Sequence, residues 1–403
     1  MHTNCKNNNK MNLIPEELKK DIALRVECLK PIMKEAGVET LLISGMTNIF
    51  YLSGRVFRGY IYVSLTEDPI YFVIRPADFE KEADVVFIRK PEQIPAELEK
   101  LGMSMPSVLG LEWNTLTYAD TMRLEKIFAD TRFVNASPVM VKARMIKTDY
   151  EVEQMRVDGM HQSAVYSRVP SCYVPDMTDL EFQIEIERVL RREGCLGYVR
   201  TAGSLMEINL GSVIAGDNAD VAGPYDFSMT GAGADPSLPV GACGKILRPG
   251  MTVMVDMNGT FNGYQSDMTR VWRIGNIDPL AVKAHECSRR ILSELETLGR
   301  PGVKCSELYE RALAIVEEEG LSNYFMGHRQ KAAFIGHGVG IELNESPVIM
   351  ARDHTPLAQN MTIALEPKFV IPGVGAVGDE NTYVVTPDGL RSLTIFPMEI
   401  QEL

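Results

Sequence analysis

Apolar positions recur at helical spacing from Leu18 to Ala36, and short apolar runs typical of strands follow. VETLLISG is the first of these runs. IYVSL and PIYFVIR come next, separated by a turn at Glu67-Asp68-Pro69. This alternation predicts an open α/β domain over residues 1–145. No glycine-rich phosphate loop follows any of its strands, so a supporting role is expected and not a nucleotide site.

The texture changes near Lys147. KTDYEVEQMRVDGMHQSAVYSRV predicts a long amphipathic helix capped by Thr148 or Asp149, with Glu151 and Glu153 in its first turn. VPDMTDLEFQIEIERVLRREG then predicts a loop at Pro175, a cap at Thr178 and a helix ending at Gly194. The phrase returns as RPGVKCSELYERALAIVEEEG, with Pro301, a cap expected at Ser306 and an end at Gly320. Two related halves framing a site would produce such an echo.

Composition narrows the partners. The chain has 403 residues, beyond one average domain, with 45% hydrophobic and 24% charged residues. Lys plus Arg number 41 against 54 Asp plus Glu, a net charge of -13. That balance disfavours nucleic acid and anionic membrane surfaces, and it suits an enzyme for small neutral or cationic substrates. The seven cysteines are scattered without a CxxC pair, so buried reduced thiols are expected. The N-terminal MHTNCKNNNKMN is polar, is expected to fray, and has no signal-peptide apolar core. The longest apolar runs, such as TVMVDM, are too short to span a bilayer, and a cytoplasmic protein is expected.

The chemistry concentrates in the last 150 or so residues. MTVMVDMNGTFNGYQSDMTRVW reads as a hairpin turning at Asn262-Gly263. Reflection through that turn pairs Asp256 with residue 269, which places Asp256 and Asp267 diagonally on one face. Like charges so placed repel, and a bound cation would make the arrangement favourable. FIGHGVGIELNESP sets His337 between Gly336 and Gly338, where backbone can approach closely. ALEPKFV and VGDENTYVVT carry Glu366 and Glu380 in apolar strand contexts, with IPGVGAVG expected as the loop between them. Four carboxylates and one imidazole suit two divalent ions of the Mn²⁺, Co²⁺, Fe²⁺ or Zn²⁺ type. Ions about 3.5–4 Å apart would acidify a bridging water into a nucleophile for a polarised carbonyl.

These segments together (VDMNGTFNGYQSDMTR, GHGVGIELNE, LEPKF and DENTYVVT) resemble the pita-bread metallopeptidases, which include Xaa-Pro dipeptidase, aminopeptidase P and methionine aminopeptidase. VETLLISGMTNIFYLSG also resembles the creatinase-type N-terminal domain of the first two. The resemblance implies an α/β N-terminal domain over 1–145 and an α+β, internally duplicated pita-bread catalytic domain over 146–403, in a homodimer. It implies that Asp256 holds one ion, that Asp267 and Glu380 bridge both, and that His337 and Glu366 complete the other. Mn²⁺ is the expected metal, Glu366 the general base, and the substrate a small peptide cleaved before proline.

Several helpers of the family are absent. Asn344-Glu345 stands where the relatives read His-Glu, and Asn344 can still donate a hydrogen bond to a substrate carbonyl. The stretch IAGDNADVAGPYDFSM has no histidine, Ala333 replaces a histidine four residues before His337, and Gly378 replaces an arginine two before Glu380. These losses keep open a different hydrolysis or a lyase reaction on a small metabolite. A pure binding module is a third reading, disfavoured by retention of all five ligands.

Overall fold

The computed structural model describes residues 14–79, 84–203 and 207–403, so the expected N-terminal fraying lies outside it. The chain divides into two compact units, residues 1–144 and 145–403.

In the first unit, helix α1 (Glu16–Glu35) matches the 18–36 periodicity and buries Ile22, Val26, Leu29 and Met33. Its strands are β1 (Thr40–Ile43), β2 (Arg58–Ser64), β3 (Ile70–Arg75), β4 (Val85–Phe87), β5 (Val108–Leu111) and β6 (Arg132–Asn135). They form one mixed sheet in the order β4-β3-β2-β1-β5-β6. Helices α2 (Met46–Ser53), α3 (Ile94–Lys100) and α4 (Tyr118–Ile127) lie between them in sequence, and α5 (Ser137–Met145) follows β6. The central strands β1 and β5 and most of β2 bury Leu, Ile and Val, whereas the edge strands β4 and β6 are half-buried or exposed.

The second unit opens with α6 (Asp149–Tyr166), capped by Thr148, whose hydroxyl accepts from Glu151 N while Glu151 Oε2 accepts from Thr148 N. The same reciprocal box at Thr178 and Glu181 opens α7 (Asp179–Glu193), which ends at Gly194. Strands β7 (Gly211–Ala215), β8 (Thr252–Gly259) and β9 (Ser266–Arg273) follow, then α8 (Pro279–Leu298) and α9 (Cys305–Glu318). The cap expected at Ser306 is wrong by two residues. Lys304 is the N-cap, and the first amides of α9 donate to Thr355 O and Asp353 O, a tertiary arrangement that replaces a side-chain cap.

The remaining strands are β10 (Phe334–Gly338), β11 (Glu345–Met350), β12 (Thr362–Leu365), β13 (Phe369–Ile371), β14 (Gly375–Val377), β15 (Asn381–Thr386), β16 (Gly389–Ser392) and β17 (Gln401–Glu402). Two sheets result, β17-β9-β8-β7 and β11-β10-β12-β15-β16. One apolar core packs α7 and residues of α6 against the first sheet, and another packs α8 and α9 against the second. Each half is therefore a helix pair on a largely antiparallel sheet, which accounts for the echo between α7 and α9. The stretch expected as a plain loop between Glu366 and Glu380 is itself a ribbon, β13 paired with β14.

No described helix is long and apolar enough to cross a membrane. Cys172, Cys195, Cys287 and Cys305 are buried free thiols, as expected, whereas Cys28 is exposed and Cys5 lies outside the described residues.

Candidate metal centre

The two sheets of the second unit meet where β9 approaches β15, and an antiparallel bridge joins Thr269 to Glu380 there. On the first sheet, β8 and β9 pair Asp256 with Thr269 and Asn258 with Asp267, the register predicted from the Asn262-Gly263 turn. The two aspartates thus share a face. Tyr166 fixes this hairpin from beneath: its hydroxyl accepts from Met257 N at 3.0 Å and reaches the carbonyls of Val255 and Met268.

On the second sheet, β12 pairs with β15 through Leu365 and Asn381, so Glu366 and Glu380 leave the ends of adjacent strands together. His337 lies on β10, paired with Ala364 of β12. Its flanking glycines serve the neighbouring strands: a Cβ at Gly336 would fall 2.2 Å from Ala364 O, and one at Gly338 would fall 2.2 Å from Ser346 O. All five sequence-predicted ligands are brought together in this way.

His337 Nδ1 is 3.0 Å from Gly338 O, an acceptor only, which assigns the proton to Nδ1 and leaves the Nε2 lone pair facing the carboxylates. Nε2 stands 3.8 Å from Asp267 Oδ2 and 3.8 Å from Glu366 Oε1. One ligand atom each from Asp267, His337 and Glu380 fall within 4.8 Å of one another, a spacing that one ion can close. Asp267 Oδ1 and Glu380 Oε1 are buried with no hydrogen-bond partner, and a cation satisfies such atoms. Burial, with the Glu380 and Asp256 charges added, pushes the Asp267 carboxyl well above its ordinary value. Burial likewise pushes Glu380 up to about 8, against the pull of Lys368. Two buried acids so destabilised as anions mark a cluster built around positive charge.

Two residues at the centre were not anticipated. Lys368 is fully buried, and its ammonium donates to Glu366 Oε2 at 2.8 Å, Asp256 Oδ2 at 2.9 Å and Glu380 Oε2 at 2.9 Å. Ser228 donates to Glu366 Oε2 at 2.5 Å and stands 3.3 Å from the Lys368 ammonium. Burial alone would raise the Glu366 carboxyl, but Lys368, His337 and the Ser228 hydrogen bond outweigh it and hold that acid below its ordinary value. The faint sequence signal was Glu-Pro-Lys, since residues two apart on an extended chain share a face.

The centre opens into a cavity of about 320 Å³ walled by Phe227, Phe334, Val348 and Met350, with Arg352 at its edge. Asn344 also lines it, but Asn344 Oδ1 accepts from Ala202 N at 2.8 Å and its Nδ2 donates to Ala202 O at 3.4 Å, so its amide holds the loop at 200–202. Gly378 lies outside this lining. A Cβ there would sit 2.5 Å from Pro367 O and 2.9 Å from Lys368 Cα, so no arginine fits.

Residues 153–387 match the model of metallopeptidase family M24, and residues 25–146 match the creatinase/prolidase N-terminal domain. An Xaa-Pro dipeptidase of Pyrococcus furiosus is 27% identical over 92% of this chain and 97% of its own. Among solved structures, the Xaa-Pro dipeptidase from Bacillus anthracis superposes with a TM-score of 0.78 at 22% identity, covering 95% of this chain and 100% of that one. The prolidase from Pyrococcus horikoshii gives 0.76 at 22% identity, over 94% and 99%. With its metal-ligand cluster, its paired sheets and these likenesses, the chain belongs to metallopeptidase family M24, the pita-bread family of Xaa-Pro dipeptidases and aminopeptidases P.

Proposed function

We propose that this enzyme hydrolyses the peptide bond before proline in small peptides, using divalent metal held by the cluster at the sheet junction. The observation that carries the reading is the convergence of Asp256, Asp267, His337, Glu366 and Glu380 on one cavity, with buried carboxylate oxygens lacking any partner. The Pyrococcus furiosus relative, an Xaa-Pro dipeptidase, supports a peptide over another small metabolite.

Asp267, His337 and Glu380 are the ligands, with Glu366 Oε1 beside them. A divalent ion held there would supply Lewis acidity for a carbonyl oxygen and for water. Oxygen donors with a single imidazole suit Mn²⁺, with Co²⁺, Fe²⁺ or Zn²⁺ as substitutes. Glu366 is the general base. Lys368 and Ser228 hold one of its oxygens and keep it ionised, so the other is free to take the proton of the attacking water and pass it to the departing proline nitrogen. The apolar wall of Phe334, Val348 and Met350 suits a pyrrolidine ring and excludes water from it. Arg352 at the cavity edge suits the free carboxylate of a dipeptide. Asn344 shapes this wall by holding the Ala202 backbone, a positioning part in substrate binding.

A homodimer, carried over from the family resemblance, and a cytoplasmic location, expected from apolar runs too short to span a bilayer, complete the reading. The test is a panel of Gly-Pro, Ala-Pro and Xaa-Pro-Xaa peptides beside Gly-Ala, before and after chelation. Selective, metal-restored cleavage before proline is the expected result.

A further inference from the structure

The family's chemistry calls for two ions, and this cluster fits only one without rearrangement. The obstacle is Lys368. Its three N–H donors are matched to three carboxylate oxygens at 2.8–2.9 Å, one each from Glu366, Asp256 and Glu380. A divalent ion bound to those oxygens would sit at about 2.0–2.2 Å from each, inside the volume of the ammonium. The two cannot share the position.

The lysine is also held in place. Its carbonyl accepts from Met326 N at 2.8 Å, a Cβ at Gly378 would fall only 2.9 Å from its Cα, and its side chain is 0% exposed. A swing into solvent would require this packing to open. The opposite edge of the cluster is different: Asp267 Oδ1, Glu380 Oε1 and His337 Nε2 are not engaged by Lys368, and the two carboxylate oxygens are buried without partners. Charge counting agrees. With all four carboxylates ionised, as metal ligation requires of its own ligands, one ammonium leaves three negative charges; one divalent ion then leaves a single negative charge, whereas two would make the cluster net positive.

We propose that this chain works as a one-metal enzyme, its single divalent ion held by Asp267, His337 and Glu380, while the ammonium of Lys368 permanently fills the second cation position. Lys368 is thus a positioning residue. It fixes Asp256, which ligates nothing, and holds Glu366 by Oε2, leaving Oε1 beside the ion for its role as base. The inference rests on the metal-hydrolase reading above, and its test separates the two.

The enzyme is saturated with Mn²⁺ and desalted, then its metal content is measured by mass spectrometry and its manganese by electron paramagnetic resonance. About one ion per chain and the six-line spectrum of an isolated Mn²⁺ are expected. Lys368→Met is expected to bind about twice as much and to show the multiline spectrum of an exchange-coupled pair. Two coupled ions in the unaltered enzyme would overturn this inference and leave the metal-hydrolase reading standing. No bound manganese would overturn both. Should Lys368→Met fail to fold, the unaltered chain's stoichiometry still decides.

Discussion

Replacing Lys368 by methionine removes the ammonium that compensates the Asp256, Glu366 and Glu380 carboxylates in the metal-free protein. Methionine keeps an unbranched apolar stem that ends one atom short of the ammonium position, so the packing loss is small and the electrostatic loss dominates. The change deletes three hydrogen bonds at 2.8–2.9 Å between a fully buried ammonium and carboxylates. Removing one partner of a buried ion pair costs about 3–5 kcal/mol, because the charge left behind is uncompensated. For a unit of this size that is a fall in Tm of roughly 6–20 °C. A divalent ion in the vacated position restores compensation, and at about 100 times its Kd adds ~2.7 kcal/mol. Calorimetry of chelated Lys368→Met and of the unaltered protein, each repeated with excess Mn²⁺, measures both quantities. The variant should melt far lower without metal and recover most of the difference with it. Equal melting temperatures in the chelated proteins, or no larger metal effect on the variant, would refute the charge argument.

Other parts of the structure are open to the same treatment. Burial pushes Asp158 up to about 6 from 3.8, although Ser266 Oγ and Phe261 N donate to it. Folding therefore favours its protonated form, which brings no penalty below about pH 4 and a growing one as pH rises through 6, up to ~3 kcal/mol. Asp158→Asn, which can keep both hydrogen bonds, should raise Tm above pH 6 and lose that gain near pH 4; a pH-independent shift in melting curves would contradict it. Ser228→Ala removes a donor from Glu366 and should lower kcat about tenfold with KM little changed, read from steady-state kinetics. Arg352→Ala should raise KM for an Xaa-Pro dipeptide about tenfold and spare its C-terminal amide, so an equal loss on both substrates would exclude carboxylate recognition.

The hairpin register was legible because Asn262-Gly263 lies at the centre of symmetry of the two strands, even though the turn region spans more residues than those two. The ligands were legible because charged residues in buried strands need a reason to be there. Lys368 was not, since a lysine beside an apolar strand reads as solvated until the two sheets are brought face to face. Ser228 lies in a stretch with no periodicity to mark it. The loss of arginine at Gly378 reads in sequence as a missing helper, and only the structure shows backbone at Pro367 and Lys368 filling the space a side chain would need. The cap of α9 was misplaced because carbonyls from residues 353 and 355, distant in sequence, serve its first amides.

The central claim is that this cluster cleaves peptides before proline with bound metal. Its most direct test compares the unaltered enzyme with His337→Ala on Ala-Pro and Ala-Ala, each protein chelated and then given Mn²⁺. The account predicts Ala-Pro cleavage only in the metal-restored enzyme, a loss of at least about a thousandfold in His337→Ala, and little turnover of Ala-Ala. Undiminished Ala-Pro cleavage by the chelated enzyme or by His337→Ala would contradict it.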